Sequence, residues 1–212
     1  MNWPKTTAIG KSLSKEKIYA QGTLTGALRR ALVDDVEKMI ITHRLARETL
    51  NVDTGTEFPE ILVLNIKLKQ KKINENLLNA LDKSIRAGYV LFILEYLGQQ
   101  CASISHKSIN SKGDSTIDRR WTSAWADDIG LELRGTTIDA IYRGLIEQIS
   151  QGRISNVGGS LDDAVARDIE RARLEKQIEK LWAKLRNTAQ LNKKIEIKDK
   201  IRKLDQKVKE LS

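Results

Sequence analysis

Glu60-Ile-Leu-Val-Leu-Asn-Ile-Lys-Leu-Lys69 is the stretch on which the fold turns. Leu62, Leu64, Ile66 and Leu68 point one way, while Asn65, Lys67 and Lys69 point the other. A period of two marks a β-strand with one buried face and one polar, partly cationic face. Downstream, Asn74 is placed to cap a helix whose apolar face is Leu77, Leu78, Leu81 and Ile85, ending at Gly88. Tyr89-Val-Leu-Phe-Ile-Leu-Glu-Tyr96 is apolar on both faces, as a central strand must be. Gly98 then turns the chain into a second strand, Gln100 to Ser108, which makes a hairpin.

Upstream, Leu28, Ala31, Leu32, Val36, Met39 and Ile40 recur at three- and four-residue intervals. That spacing predicts an amphipathic helix over 24–44, with Thr25 as its N-cap. Residues 1–23, with Pro4, Gly10 and Gly22, read as an irregular arm, and Asn51, Asp53, Gly55 and Pro59 as a loop. Beyond the hairpin, residues 110–118 read as a turn or exposed loop. Trp121 and Trp125 begin the next ordered stretch, and Leu131-Glu-Leu-Arg134 reads as a short edge strand. Thr137 or Asp139 opens a helix with Ile138, Ile141, Leu145 and Ile149 on one face. Helices and strands mix without a regular βαβ repeat, so the expected class is α+β, a mixed sheet with flanking helices over 24–150.

Gly152, Gly158, Gly159 and Ser160 mark a linker at 151–160. The remaining 52 residues, 161–212, hold 15 Lys/Arg against 10 Asp/Glu and no Gly or Pro. Leu174, Ile178, Leu181 and Leu185 form one heptad seam; Ile197, Ile201, Leu204, Val208 and Leu211 form another. The polar break Asn187-Thr-Ala-Gln-Leu-Asn192 between them predicts two helices folding back on one another as an antiparallel coiled-coil hairpin. One continuous helix is the alternative. Each helix is too short to be stable alone in water, so it must pack on its neighbour or on a partner.

The 212 residues carry 37 Lys/Arg against 28 Asp/Glu, a net charge of +9, with a pI near 9.6. Such a balance favours acidic partners, nucleic acid or an anionic protein face, unless the excess lysine serves solubility alone. The single cysteine, Cys101, cannot form an intrachain disulfide and points to a reducing compartment. One Cys and two distant histidines, His43 and His106, exclude a zinc pattern. The first residues lack the apolar core of a signal peptide, and the run Tyr89 to Leu94 is too short to span a bilayer. A cytoplasmic location, with no membrane partner, is expected.

Few constellations carry chemistry. No Gly-x-Ser-x-Gly elbow is present, and Gly158-Gly159 alone is a hinge rather than a phosphate cradle. His43 reads as a histidine at a helix end, and His106 as a surface residue of a strand. A Mg²⁺-dependent nuclease needs two carboxylates to hold the metal and a strand-borne lysine to position or activate water. Glu37, Glu60 and Lys67 are the residues that would serve, and Mg²⁺ would be the cofactor under that reading alone. Against it, the position two before Lys67 is Asn65, whose amide binds Mg²⁺ more weakly than a carboxylate. Lys69, Lys71 and Lys72, with Arg119 and Arg120 beside Trp121, would neutralise phosphates and stack a base, although Trp121 serves equally as core. Acidic residues interleave the lysines of the hairpin, which favours a helix partner over nucleic acid there.

The order of segments resembles the prokaryotic domain-of-unknown-function family 4391 over nearly the full length. The stretches that carry the resemblance are Val36-Glu-Lys-Met-Ile-Ile-Thr-His-Arg-Leu-Ala-Arg-Glu-Thr-Leu-Asn-Val52, Ile61 to Lys69, and Leu91-Phe-Ile-Leu-Glu-Tyr96. Trp125, Leu131-Glu-Leu, Ile138-Asp-Ala-Ile-Tyr142 and the charged tail also match. The resemblance implies no established activity. It implies a setting beside helicases and DNA methyltransferases in restriction-type or phage-defence loci, and relatives are commonly acidic at the position of Asn65. The expected role is a non-enzymatic accessory subunit of a DNA-acting restriction or phage-defence assembly. It would dock on a larger helicase, translocase or methyltransferase through Leu174, Ile178, Leu181, Leu185, Ile197, Ile201, Leu204 and Val208, or on a second copy of itself. The alternatives are an unusual Mg²⁺-dependent nuclease and a plain nucleic-acid-binding module.

Overall fold

Between Asp34 and Met39 the backbone changes from helix to strand, and the arrangement of the body follows from that point. In the computed structural model, which describes residues 3–20, 24–56, 59–85, 88–109, 115–154 and 160–211, the body begins with β1 (Ala8–Ser12), α1 (Lys15–Ala20) and α2 (Gly26–Asp35). The predicted irregular arm therefore contains a strand and a helix. α2 starts where expected, its Thr25 hydroxyl accepting from the Leu28 amide. It stops ten residues on, and Val36–Ala46 is β2, not the second half of a helix.

The misreading has a physical cause. Two bulges interrupt β2, one between Val36 and Lys38 and one between Ile41 and His43. A bulge adds a residue to one strand, so side chains three apart share a face. Val36 opposite Leu68 and Met39 opposite Ile66 are thereby buried in one core, although their spacing mimics a helix.

The body continues with α3 (Arg47–Leu50), β3 (Glu60–Leu68), α4 (Glu75–Ser84), β4 (Tyr89–Tyr96), β5 (Gln99–Ile109), β6 (Ser115–Thr122) and α5 (Ile138–Ile149). The six strands lie in sequence order in one sheet. β3 and β4 run parallel, joined through α4; every other neighbouring pair is antiparallel. A Cβ on Gly88 would lie 2.5 Å from the Glu60 carbonyl oxygen, so only glycine lets β4 begin beside the start of β3. Leu97 and Gly98 both have positive φ, the turn that the tight hairpin to β5 requires.

The central strands are buried on both faces. Val90, Phe92 and Leu94 meet Leu32, Leu77, Leu78 and Leu81 of α2 and α4. On the other face α5 buries Ile138, Ile141, Tyr142, Leu145, Ile146 and Ile149, with the Tyr142 ring stacked 3.6 Å from that of Tyr89. Thr137, not Asp139, caps α5 by accepting from the Ala140 amide at 3.1 Å. The expected loop at 110–118 is strand from Ser115 onward, and its first part, 110–114, lies outside the described residues. Leu131–Arg134 is not a strand: the Glu132 amide and carbonyl bond the side chain of Gln148 instead of a neighbouring strand.

The chain divides into two units, Met1–Gly152 and Arg153–Ser212. In the second, α6 (Leu161–Arg186) and α7 (Leu191–Glu210) pack against each other. The Ser160 hydroxyl caps α6 by accepting from the Asp163 amide at 3.1 Å, and Asp162 and Asp163 favour its positive end. Leu185, Ile197 and Ile201 form the small core of the pair, flanked by Ile178 and Leu181. The class is α+β, a mixed sheet with flanking helices followed by a pair of packed helices. Among the described residues no helix is long and apolar enough to cross a membrane.

Candidate functional site

Glu37, Glu60 and Lys67 do not converge on one site: Lys67 meets Glu37, and Glu60 lies apart. Lys67 lies near the end of β3 and Glu37 beside it on β2, where the ammonium donates to the carboxylate at 2.9 Å. Both side chains are about half exposed. The hydrogen bond to Glu37 holds the Lys67 pKa above its ordinary value, the direction opposite to that needed by a lysine that gives or takes protons near neutrality. Glu60 is seven residues away at the start of the same strand, on the order of 23 Å at ~3.3 Å per residue. There it is buried and paired with Arg44, whose own pKa is raised by that bond. Among the described residues no three His, Cys, Asp or Glu side chains gather as a metal site.

The expected cationic residues separate into two groups. Lys69, Lys71 and Lys72 are exposed just beyond the end of β3. Lys69 donates to the Val33 carbonyl at 2.7 Å; Lys71 donates to Gln99 and stands 5.4 Å from the centre of the Trp125 ring. A surface lysine over a partly exposed indole is a unit that can meet a phosphate and a base together. Arg120 and Trp121, by contrast, are withdrawn from the surface, which corrects their assignment as phosphate and base contacts. Trp121 is buried, as its alternative reading allowed. The Arg120 guanidinium is buried over the Phe92 ring, where it donates to Asp82 at 2.6 Å and to Asn79 at 2.7 Å. Arg119, its neighbour on β6, is half-buried.

Asp82 is the centre of a network that sequence reasoning missed. It is fully buried on α4, with Lys107 of β5 2.5 Å from one carboxylate oxygen and Arg120 and Ser105 on the other. Lys107 also donates to the Gly88 carbonyl at 3.1 Å. Desolvation depresses the Arg120 pKa despite the opposing pull of Asp82. Here two cations and a carboxylate lock α4 onto β5 and β6. The sequence signal was available only in part: Asp82 falls beside Leu81 and Leu78 on the face of α4, but nothing local names its partners.

Both histidines differ from expectation. His43 lies on β2, not at a helix end; it is half-buried with its ring edge-on to Trp3 at 5.2 Å, and desolvation lowers its pKa. His106 is buried, not on the surface, and pairs with Asp118 of β6 at 3.1 Å. Cys101 is buried on β5, where desolvation pushes its thiol up to about 12, so it is unreactive near neutrality. A cleft of about 630 Å³ opens beside Trp3, Leu50, Val52, Leu131 and Leu133. Trp3 is held there by its indole N–H, which donates to the Leu131 carbonyl at 2.9 Å.

Of the eight seam residues, Ile178, Leu181, Leu185, Ile197 and Ile201 pack on one another within the helix pair. They hold α6 and α7 together, and Ile178, only partly buried, also lines a groove between the two helices. The outward apolar residues are Trp182, Leu191, Ile195 and Ile169, four of the seven large hydrophobic side chains exposed among the described residues. The model of the family described as Domain of unknown function (DUF4391) matches residues 1–208. No curated protein and no solved structure matches the chain.

Proposed function

The chain belongs to the DUF4391 family, and on that premise we propose that it is a non-enzymatic accessory subunit of a DNA-acting restriction or phage-defence assembly in the cytoplasm. The helix pair docks the subunit on a larger helicase, translocase or methyltransferase. The body contributes nucleic-acid contacts through Lys69, Lys71 and Lys72.

One observation carries this reading. The helix pair has its own small core and still leaves Trp182 at 45%, Ile195 at 53% and Leu191 at 70% exposure. Large apolar side chains gathered at the surface of one element mark an interaction site, and tryptophan is among the residues enriched at the anchors of protein interfaces. Glu60 lies at the other end of β3 from the Glu37–Lys67 pair, which offers no support to the nuclease alternative.

The test is affinity purification of the tagged chain from its own cells, intact and truncated after Gly152. The intact chain recovers a larger DNA-acting protein, identified by mass spectrometry, and the truncated one does not. Recovery of the same protein by the truncated chain overturns the docking role of the helix pair.

A further inference from the structure

The outward face of the helix pair has two halves with opposite properties, and they lie side by side. One is a groove of about 470 Å³ between α6 and α7, lined by Ile178, Trp182 and Val208 with Glu175, Glu179 and Asp205 among its walls. Arg186 lines it as well. Glu175 is paired with Arg153 at 2.9 Å, while Glu179 and Asp205 stand in no ion pair among the described residues. The groove is thus lined by apolar side chains together with three carboxylates and one guanidinium, in a segment whose net charge is positive.

The other half is a stripe along α7. At about 100° per residue, Leu191, Ile195, Lys198 and Arg202 fall on one side of the helix, and Asp205 of the groove lies at the edge of that same side. Leu191 and Ile195 are among the most exposed apolar side chains of the chain, and Lys198 and Arg202 are exposed beyond them. Arg202 has only a surface contact with Asp199, at 3.4 Å. The stripe is apolar at one end and cationic at the other.

We propose that a second copy of the chain covers this face: the Leu191–Ile195–Lys198–Arg202 stripe of each copy lies in the Trp182 groove of the other. A two-fold arrangement satisfies both contacts at once, since each molecule presents groove and stripe together. Trp182 then meets Leu191 and Ile195, and Glu179 and Asp205 meet Lys198 and Arg202. Both requirements of the fit, apolar and electrostatic, are present on one chain, which favours a second copy over an unrelated basic helix. The proposal rests on the helix pair being an association element and specifies its first partner; the larger protein then meets four helices, not two.

The experiment is sedimentation equilibrium on the intact purified chain over a concentration series. The expected mass is twice the 24.0 kDa of one chain. Trp182→Glu with Ile195→Glu shifts it to a monomer, while far-ultraviolet circular dichroism retains the helices. Charge variants guard against simple misfolding. Glu179→Lys with Asp205→Lys is monomeric, and so is Lys198→Glu with Arg202→Glu, because each brings like charges together. Mixed in equal amounts, the two recover a dimer, as does one chain carrying all four changes. A monomeric wild-type chain overturns the proposal, as does a dimer that survives Trp182→Glu with Ile195→Glu, or a mixture of charge variants that stays monomeric. A wild-type chain that is monomeric and still recovers the larger DNA-acting protein refutes the self-association and leaves the docking role standing.

Discussion

In the body, polar and charged side chains that turn inward find partners: Asp82 holds Lys107 and Arg120, His106 meets Asp118, and Glu60 meets Arg44. Between those groups the sheet is covered with apolar side chains on both faces. The helix pair differs in both respects. Its inward ion pairs centre on Asp168, held by Arg153 and Arg171, and its core is five residues deep. Its apolar excess points outward. Two regions of one chain thus bury apolar surface differently: the body packs helices over both faces of its sheet, and the pair has one small core with four large apolar side chains left at its surface.

The comparison is broken most severely at Asp82. Asp82→Ala leaves Lys107 and Arg120 buried without their carboxylate and costs about 3–5 kcal/mol, since removing one member of a buried pair strands the others. Urea unfolding followed by tryptophan fluorescence reads the loss. A change below about 1 kcal/mol would show that the network does not lock α4 to the sheet.

The pair's own core is thinner. Ile201→Ala costs about 2 kcal/mol, near the low end for a buried isoleucine, and hydrogen exchange locates the loss in α6 and α7. A smaller effect comes from pH. Burial lowers the His43 pKa below 6.5, so the unfolded chain takes up the proton first. The stability this neutral imidazole supplies is full above about pH 6.5 and is lost as pH falls through the depressed folded value. His43→Phe, which keeps a ring against Trp3, flattens the thermal midpoint between pH 7 and about pH 5; an unchanged slope would assign it to other groups.

Least of all is expected from Lys67→Ala. The Lys67–Glu37 bridge is half-exposed, and such pairs contribute little to stability. The variant unfolds with the wild-type midpoint, and incubation with DNA or RNA in Mg²⁺ or Mn²⁺ gives the same result as the wild type. Cleavage by the wild type that Lys67→Ala abolishes would return the nuclease reading.

The elements governed by local chemistry were legible in the sequence. Asn74 and Thr137 cap where their side chains allow, Gly98 turns the hairpin, and alternation gives β3 and β4. What escaped depends on partners distant in sequence. The bulges of β2 convert a strand into a helix-like spacing, so Met39 and Ile40 misled. Arg120 and Trp121 looked like a nucleic-acid contact because burial is decided by β5 and α4, not by their neighbours in sequence. The same limit holds for the helix pair. Heptad spacing picked out the five residues that pack between α6 and α7, but it says nothing of the large apolar side chains left at the surface: Trp182, Leu191 and Ile195 lie off the seam.

The most direct test of association through the helix pair is transfer. Residues 153–212 fused to an unrelated carrier should recover from cells the same DNA-acting protein as the intact chain, and Trp182→Glu with Ile195→Glu in the fusion should lose it. A fusion that recovers nothing, while the chain truncated after Gly152 recovers that protein, would contradict the account.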